Sequence, residues 1–427
     1  MKGARIPVPS DLVVIGLGYI GLPLAQEACR SGLTVTGLDI STRVVEGLNA
    51  GRSHVDDLSD EDIAAMRAAG FAATADTSVI GEASTVVICV PTPLAEDDGP
   101  DLTAVLAATD SVRSQIRAGT LVVLESTTYP GTTEDVLRPA LEGAGLRVGE
   151  DVFLAFSPER IDPGNPGFGF RNTPKVVGGS TPACLDRAHA FYRRIVDTVV
   201  PARGTREAEM AKLLENTYRH VNIALVNEMA RFCHELRIDL WDVIRCASSK
   251  PFGFQAFFPG PGVGGHCIPI DPNYLSYTVR ESLGYPFRFV ELAQEINDSM
   301  PGYVTRRIQD SLNVTGLAVN GAKVLLLGVT YKPDIADQRE SPAVPLAEHL
   351  RELGAEVSFH DPHVEEWVLE SGTVRRVDDL EAALGAADIS VVLQRHAVYD
   401  GDTIAAKAQR VLDTRGFTPR SDTVEHL

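Results

Sequence analysis

The feature that most constrains the fold is a glycine motif near the start of the chain. Gly16, Gly18 and Gly21 are spaced as G-x-G-x-x-G and directly follow the apolar run Leu12–Ile15. A helical pattern comes next, and then a second apolar segment that ends in Asp39. Strand, glycine turn, helix, strand and acid in this order are the fingerprint of a dinucleotide-binding βαβ unit.

The same motif predicts which dinucleotide is bound. The first two glycines permit a tight turn and the close approach of a pyrophosphate, which lies at the N-terminus of the following helix. Asp39 is placed to accept hydrogen bonds from the adenine-ribose hydroxyls and to repel a 2′-phosphate, so NAD is predicted rather than NADP. Arg43 leaves NADP open as the alternative, because an arginine near the ribose can accommodate that phosphate.

Residues 11 to about 200 alternate short apolar runs with helical stretches, which is the rhythm of a doubly wound parallel sheet. The clearest predicted strands are Leu12–Ile15, Thr34–Leu38, Val86–Val90, Leu121–Leu124 and Val152–Ala155. Three of them are followed by polar or small residues, Pro91-Thr92-Pro93, Glu125-Ser126-Thr127-Thr128 and Ser157-Pro158-Glu159-Arg160. Ligands of such sheets bind outside the carboxyl ends of the strands, so we expect these turns to face cofactor or substrate.

A long helix is predicted from Glu207 to Leu236. Lys212, Asn216 and Arg219 share one of its faces, which is either functional or simply solvated. Apolar side chains recur at helical spacing on another face, namely Met210, Leu213, Leu214, Thr217, Val221, Leu225, Met229, Phe232 and Leu236. This stripe is long enough to pair with a second copy across a two-fold axis; the alternative is that it covers only the chain's own sheet domains.

A second, smaller α/β domain is predicted from about Asn320. Its elements are a strand at Lys323–Gly328, a helix at Pro342–Leu353 and strands at Glu356–His360 and Asp388–Leu393. The turn after its first strand carries one glycine, Gly328, so it does not predict a second dinucleotide site.

The segment from Phe258 to Asp271 reads F-P-G-P-G-V-G-G-H-C-I-P-I-D and concentrates glycines around one thiol, Cys267. Glycines allow backbone amides to approach a ligand closely, and a thiol with a carboxylate nearby suits a covalent nucleophile. The alternative is a tight loop that ends in a buried cysteine, the commoner fate of a free thiol. The dinucleotide motif decides between the two in favour of the nucleophile.

Composition excludes several classes of protein. The chain has 427 residues, enough for two or three domains, and a formal net charge of −19 without a basic block. Nucleic acid and anionic membranes are therefore disfavoured as partners, and no apolar run approaches the roughly 20 residues of a membrane span. The six cysteines are scattered and form no metal-ligand pattern. We expect a cytoplasmic protein without a metal site.

Taken together, these motifs resemble the UDP-glucose/GDP-mannose dehydrogenase family over nearly the whole chain. The run from Ser157 to Asn165 and the F-P-G-P-G sequence are most similar to the branch that acts on UDP-N-acetylhexosamines. The resemblance implies NAD-dependent four-electron oxidation of the C6 hydroxyl to a uronic acid, a step of polysaccharide biosynthesis. UDP-N-acetyl-D-glucosamine is the first candidate substrate, with UDP-N-acetyl-D-mannosamine or UDP-glucose as alternatives.

The resemblance also implies an organisation and an assembly. A Rossmann-type NAD-binding domain is expected over 1–200, and a central helical domain with the catalytic loop and a dimer helix over 201–305. A UDP-sugar-binding domain is expected over 306–427. A homodimer or a higher homo-oligomer is implied.

The candidate site residues form three overlapping sets. The catalytic set, which rests on the resemblance, is Thr128, Glu159, Lys212, Asn216, Cys267 and Asp271. The cofactor-binding set is Gly16, Gly18, Tyr19, Ile20, Gly21, Asp39, Arg43, Pro91, Thr92, Thr128 and Arg339. The substrate-binding set, which also rests on the resemblance, is Arg160, Ile161, Lys212, Asn216, Arg219, Gly264 and Lys332.

These residue types support a covalent route from alcohol to acid. In this hypothesis Lys212 and Asp271, acting through an ordered water, help to remove the hydroxyl proton during the first oxidation. Cys267 captures the aldehyde as a thiohemiacetal, which the second oxidation converts to a thioester. Water activated by Glu159 or Asp271 then hydrolyses the thioester.

Two departures from the family pattern are visible. Pro163 stands where UDP-glucose enzymes often place a second glutamate, and Gln394-Arg395-His396 replaces the usual small polar dipeptide before histidine. Two other functions remain open from the residues. One is a single-step hydroxyacid dehydrogenase, which needs no thiol; the other is a non-catalytic NAD-binding sensor.

Overall fold

The chain divides into two compact units in the computed structural model. The first runs up to Glu215 and includes Asn273–Leu283, and the second comprises Asn216–Pro272 and Gly284–Leu427. The structure describes residues 10–55, 57–95, 99–162, 165, 167–265 and 268–427. Within these ranges no helix combines the length and the apolar character that a membrane span requires.

An eight-stranded sheet forms the framework of the first unit. Its strands are β1 (Leu12–Ile15), β2 (Val35–Leu38), β3 (Ala72–Thr74), β4 (Thr85–Ile88), β5 (Leu121–Leu124), β6 (Phe153–Phe156), β7 (Lys175–Gly179) and β8 (Val199–Pro201). Their order is β3-β2-β1-β4-β5-β6-β7-β8, and the pairs from β3 to β6 are parallel. β7 pairs antiparallel with β6 and parallel with β8. The strand order reverses beside β1, which marks the place where doubly wound sheets bind dinucleotides.

Helices cover both faces of this sheet. They are α1 (Gly21–Arg30), α2 (Thr42–Asn49), α3 (Asp60–Ala68), α4 (Thr103–Gln115), α5 (Arg138–Glu142) and α6 (Pro182–Tyr192), with a 3₁₀ helix at Thr77–Glu82 and a π-helical turn at Thr133–Leu137. Leu12 and Val14 enter a core that includes α1, whereas Val13 and Ile15 enter a second core that includes α4. Alternate residues of a strand point to opposite faces, so β1 is buried on both sides. The predicted doubly wound sheet is confirmed.

A long helix continues from the first unit into the second. This helix, α7 (Thr205–Glu235), is followed by α8 (Leu240–Ser248), α9 (Asp271–Leu283), α10 (Arg288–Asp298) and α11 (Met300–Val314). The predicted apolar stripe on α7 is only partly buried within the chain. Leu213 is fully buried, whereas Leu225 is 53% exposed and Leu236, just beyond the helix, is 64% exposed.

The second unit contains a smaller parallel sheet, as the sequence predicts. Its strands are β9 (Lys323–Leu327), β10 (Glu356–His360), β13 (Ile389–Val392), β14 (Val411–Asp413) and β15 (Val424–His426), in the order β10-β9-β13-β14-β15. The other elements are the hairpin β11 (Glu366–Leu369) and β12 (Gly372–Arg375) and the helices α12 (Ala343–Glu352), α13 (Leu380–Ala386) and α14 (Gly401–Lys407). Leu326 packs in a core with α11 and α12, and Leu327 packs on the other face with α13 and α14.

Candidate active site

The three motif glycines each meet a different structural demand. Gly16 has φ +89°, and a Cβ there would lie 2.6 Å from the carbonyl oxygen of Cys89 at the end of β4. A Cβ on Gly21 would overlap the carbonyl oxygen of Gly16, because α1 starts directly against the turn. A Cβ on Gly18 would meet nothing within 4 Å. The turn is therefore tight at its ends and open at Gly18, where a pyrophosphate can approach the backbone.

Asp39 fastens this turn to the end of β2. Its Oδ2 accepts a hydrogen bond from the Leu17 amide at 2.9 Å, and its Oδ1 accepts one from the Ser41 amide at 2.8 Å. Arg43 lies exposed on the next helix. Ile40 is 98% exposed beside Asp39, which makes it an apolar surface that sequence reasoning missed.

A hydrogen bond joins the turns after β4 and β5, which carry Thr92 and Thr128 of the cofactor set. Thr92 donates a hydrogen bond to the carbonyl oxygen of Thr127 at 2.7 Å. The carbonyl oxygen of Thr92 accepts a hydrogen bond from the hydroxyl of Tyr274. Thr128 is buried, and its hydroxyl has no hydrogen-bond partner among the residues described. An unpaired buried hydroxyl is costly, so Thr128 fits a position that a bound ligand completes.

Glu159 is buried after β6, and both of its oxygens are engaged. Its Oε1 accepts hydrogen bonds from the amides of Arg160 and Ile161, each at 2.6 Å, and its Oε2 lies 2.9 Å from Nζ of Lys175. Burial opposes ionisation of this carboxyl. The attraction of Lys175, the Ile161 amide and the charge of Lys212 nevertheless hold its pKa below the ordinary value.

Arg160 makes contacts of its own inside the first unit. Its guanidinium forms a bidentate ion pair with Glu215 at 2.7 and 3.2 Å and donates to the carbonyl oxygen of Pro174 at 2.8 Å. Lys212 lies half-buried one helical turn before Glu215 and Asn216 on α7. The predicted substrate arginine is therefore already oriented by protein groups.

Asn216 and Asp271, two residues of the predicted catalytic set, meet in the second unit. The side-chain amide of Asn216 donates to Oδ2 of Asp271 at 2.5 Å, and both residues are buried. Asp271 is the first residue of α9. Cys267 and His266 lie outside the residues that the structure describes, as does Pro163. Arg219, the third residue of the predicted polar face, is exposed.

The glycines before Cys267 are required by packing against the protein itself. A Cβ on Gly264 would lie 2.5 Å from the carbonyl oxygen of Glu340 and 2.8 Å from Cβ of Tyr331. Gly265 has φ +88°, and a Cβ there would lie 2.7 Å from the ring of Tyr331. A Cβ on Gly262 would lie 2.9 Å from Pro342. Sequence reasoning attributed these glycines to the approach of a ligand. It missed the close packing of the loop against Tyr331, Glu340 and Pro342.

A buried polar chain ties the glycine-rich loop to α7. Asn227 accepts a hydrogen bond from the Gly260 amide at 2.9 Å and donates to Oδ1 of Asn297 at 2.9 Å. Asn297 in turn donates to the carbonyl oxygen of His220 at 3.4 Å. Burial lowers the pKa of His220 to about 4, so its ring is neutral at physiological pH. This polar chain holds Gly260 of the loop to α7, and sequence reasoning predicted none of its hydrogen bonds.

Gln394 and His396 hold the turn that carries Lys332. Gln394 donates to the carbonyl oxygen of Tyr331 at 2.9 Å. Nδ1 of His396 accepts a hydrogen bond from the Asp334 amide at 2.9 Å, and Nε2 lies 3.0 Å from Oδ2 of Asp361. The tripeptide Gln394-Arg395-His396, which departs from the family pattern, thus stabilises the turn around Lys332 through Gln394 and His396. Arg339, further along, forms an ion pair with Asp337 at 2.6 Å.

His396 also belongs to a cluster with the spacing of metal ligands. Ligand atoms of Asp334, His363 and His396 lie within 4.8 Å of one another. Nδ1 of His396 already accepts a backbone amide, and Nε2 donates to Asp361. Because both ring nitrogens of His396 are used, the cluster is better explained by hydrogen bonding than by metal binding.

Known proteins match this chain over nearly its whole length. Three domains of the UDP-glucose/GDP-mannose dehydrogenase family match in sequence order. The NAD binding domain matches residues 10–196, the central domain 206–299 and the UDP binding domain 325–420.

Individual relatives agree with these matches. A UDP-N-acetyl-D-mannosamine dehydrogenase of Salmonella typhi is 35% identical over 422 residues, which cover 95% of this chain and 99% of the relative. A UDP-N-acetyl-D-glucosamine 6-dehydrogenase of Pseudomonas aeruginosa is 35% identical over 397 residues, 92% of this chain and 89% of the relative. The solved UDP-D-ManNAc dehydrogenase of Pyrococcus horikoshii has a TM-score of 0.87 at 31% identity and covers 97% of this chain and 98% of its own.

The contacts of Asp39 generate a test of cofactor choice. We expect kcat/KM to be at least about 100-fold higher with NAD than with NADP, because the carboxylate repels a 2′-phosphate. Asp39→Asn keeps one acceptor oxygen for the turn and should narrow this ratio by at least about tenfold. Initial rates with both cofactors measure it. Equal wild-type rates would mean that Arg43 outweighs Asp39.

Proposed function

Because the chain belongs to the UDP-glucose/GDP-mannose dehydrogenase family, we propose that it oxidises C6 of a UDP-N-acetylhexosamine to the carboxylate. The predicted family, the NAD cofactor and the oxidoreductase class are confirmed by the matched domains. In the overall reaction one primary alcohol, one water and two NAD yield one carboxylate, two NADH and three protons. The observation that carries the proposal is the buried hydrogen bond between Asn216 and Asp271. Asp271 follows Cys267, the thiol of the glycine-rich loop, by four residues in the sequence.

The residues of the first unit fit the cofactor. Gly16, Gly18 and the start of α1 would hold the pyrophosphate, and Asp39 would hold the adenine ribose. Ile40 offers an apolar surface beside that ribose. When bound, NAD accepts the hydride that leaves C6 in each oxidation. The unpaired hydroxyl of Thr128 would complete its hydrogen bonding with the bound ligands.

The reacting centre is assigned to Lys212, Asn216, Asp271 and Cys267. Lys212 stabilises negative charge on the C6 oxygen as its proton leaves, and Asp271 accepts that proton through a water. The Cys267 thiolate then adds to the aldehyde carbon, so the intermediate stays bound between the two oxidations. Asn216 orients Asp271 throughout.

Asp271 is assigned as the base that activates the hydrolytic water, and Glu159 is not. A base must present an oxygen to the water and accept its proton. Glu159 already accepts two amide hydrogen bonds and the ammonium of Lys175, and its pKa is lowered. Its contacts suit a residue that shapes the turn at Arg160 and Ile161.

The nucleotide end of the substrate is assigned to cationic and backbone groups. Arg160, Arg219 and Lys332 supply charge for the diphosphate, and the amides around Gly264 supply uncharged donors. Arg339 is assigned to the cofactor side. These cations are local, so the net charge of −19 does not oppose binding of an anionic sugar nucleotide.

The configuration at C2 of the sugar separates two candidates. Sequence resemblance favours UDP-N-acetyl-D-glucosamine, and the Pseudomonas aeruginosa relative is named for that sugar. The Salmonella typhi relative and the Pyrococcus horikoshii structure are named for the manno epimer, which makes UDP-N-acetyl-D-mannosamine the second candidate. NADH release with a panel of both epimers, the galacto epimer and UDP-glucose decides between them.

The covalent route predicts the behaviour of Cys267→Ala. Wild type should release two NADH per sugar and form the uronate. The variant should form no uronate at a detectable rate and release at most one NADH per sugar, because the aldehyde has no thiol to capture it. Mass analysis of products with the best sugar of the panel measures the effect.

The control for this variant is Cys246→Ala, which removes an exposed thiol outside the proposed site. It should keep wild-type stoichiometry. Uronate formation by Cys267→Ala at a rate near wild type would contradict the covalent mechanism. One NADH per sugar in wild type would favour a single-step hydroxyacid dehydrogenase.

Lys212→Met should lower kcat by about 100-fold or more, because the C6 oxygen loses its cationic partner in the transition state. The dissociation constant for NAD should stay within about twofold, since Lys212 lies far along the chain from the glycine turn. Lys407→Met, which removes an exposed ion pair with Glu381, is the matched control. A wild-type kcat for Lys212→Met would remove this residue from the mechanism.

The exposed side of α7 is assigned to a second copy of this chain. Tyr218, Leu225, Phe232 and Leu236 follow one another at spacings of 7, 7 and 4 residues, and all are exposed. These spacings place the four side chains along one stripe of the helix. An apolar stripe of this length, about five helical turns, is self-complementary under a two-fold axis.

Light scattering after size exclusion tests this assembly. Wild type should elute with at least twice the chain mass of 45.9 kDa. The double variant Leu225→Glu/Phe232→Glu should elute as a monomer, because it places two carboxylates on each half of the interface. Leu317→Glu, at an exposed leucine elsewhere, should behave as wild type. A monomeric wild type would leave the stripe without this role.

A further inference from the structure

Three charged side chains are buried together at the carboxyl edge of the large sheet. Lys175 is 4% exposed, and its Nζ lies 2.9 Å from Oε2 of Glu159 and 3.0 Å from Oε2 of Glu125. The rings of Phe170 and Tyr192 cover the ammonium, with centroids at 4.9 and 5.6 Å. The hydroxyl of Tyr192 donates to the second oxygen of Glu125.

We propose that Lys175 is a positioning residue, which acts through Glu159 to hold the Arg160–Ile161 turn in the shape that binds the sugar nucleotide. The inference rests on the proposed function and extends it, since Lys175 was in none of the predicted site sets. The chain of contacts is direct. Lys175 holds one oxygen of Glu159, and the other oxygen holds the amides of Arg160 and Ile161 at 2.6 Å each.

The sheet topology explains why a lysine reaches this place. β7 pairs antiparallel with β6, with Phe156 opposite Gly178. Continuing that register by three residues puts Glu159 opposite Lys175, the first residue of β7. Glu125 follows β5 on the other side of β6. The antiparallel strand therefore brings its own beginning to the edge where the parallel strands end.

The pKa values of the two carboxyl groups shift in opposite directions, and this difference favours an ion pair between Lys175 and Glu159. Burial raises the pKa of Glu125 despite the nearby ammonium. Burial acts in the same direction on Glu159, but the ammonium of Lys175, the Ile161 amide and Lys212 lower its pKa on balance. Burial opposes the charge of Lys175, yet the two carboxylates raise its pKa. Glu159 thus remains ionised at neutral pH because Lys175 remains ionised beside it.

Loss of the ammonium should make the turn sensitive to pH. The titratable groups around Glu159 are Glu125, Lys175, Lys212, Tyr192 and Cys89. Burial raises the pKa of both Tyr192 and Cys89 well above ordinary values, so neither ionises near neutrality. Without Lys175, Glu125 and Glu159 share a proton at low pH and repel each other when both ionise. The turn should therefore open as the pH rises.

The experiment compares wild type with Lys175→Met and Lys175→Arg between about pH 6 and pH 9. Lys175→Met should raise KM for the sugar nucleotide at least about tenfold at pH 9, and KM should return toward the wild-type value at pH 6. Lys175→Arg keeps the charge and should restore most of the affinity. Wild type and the surface control Lys407→Met should show the same, flatter profile.

Hydrogen exchange of the segment from Ser157 to Asp162 gives a readout that needs no turnover. At pH 8 its amides should exchange at least about tenfold faster in Lys175→Met than in wild type. If wild type oxidises none of the sugars, the proposed function fails while this measurement still tests the role of Lys175. Should Lys175→Met not fold, the double variant Lys175→Met/Glu125→Gln removes one charge of each sign. Its turn should still exchange faster than in wild type, but with less dependence on pH, because no second carboxylate repels Glu159.

Two results would overturn the inference. One is an unchanged KM with unchanged amide protection in Lys175→Met at every pH. The other is a loss of affinity of the same size from pH 6 to pH 9 that Lys175→Arg does not restore, which is the behaviour of a packing residue.

Discussion

Parallel strand pairing is the constraint on which the functional geometry of the first unit depends. In a parallel sheet every strand must be followed by a crossover, so all carboxyl ends lie at one edge. Gly16 follows β1, Glu125 follows β5 and Glu159 follows β6. These residues are far apart in sequence, yet the sheet brings them to the same edge without any special contact. The antiparallel strand β7 adds Lys175 to that edge from the opposite direction.

In the second unit, candidate site residues are positioned by close packing rather than by strand pairing. Its glycine-rich loop lies so close to Tyr331, Glu340 and Pro342 that a Cβ on Gly262, Gly264 or Gly265 would clash. Asn227 anchors the loop at Gly260, where a Cβ would lie 3.0 Å from the guanidinium of Arg415. The backbone before Cys267 is thus defined by the protein alone, and a preorganised loop loses less conformational freedom when substrate binds.

Local patterns in the sequence predicted the parts of the fold that local physics decides. β1, β5 and β10 have the predicted limits, because each is an apolar or alternating run with clear turn residues at its ends. The motif glycines and Asp39 were found because their spacing is set by one βαβ unit. β7 was missed, and so was its direction, because a five-residue run beginning with lysine carries no signal of its partner. Register between distant strands is decided by tertiary packing, which a single sequence does not display.

The environment of a carboxylate, rather than its identity, separates structural from chemical roles here. A glutamate after Ser157-Pro158 fits the family motif, and motif matching alone assigns it to catalysis. We propose a structural role instead, since a base whose oxygens hold two amides and an ammonium must break those bonds before it can take a proton. Asp271 is held by the amide of Asn216, a neutral donor that orients a carboxylate without adding a charge. The partners of Glu159 are thus the ground on which we propose different roles for two acids that a motif treats as equivalent.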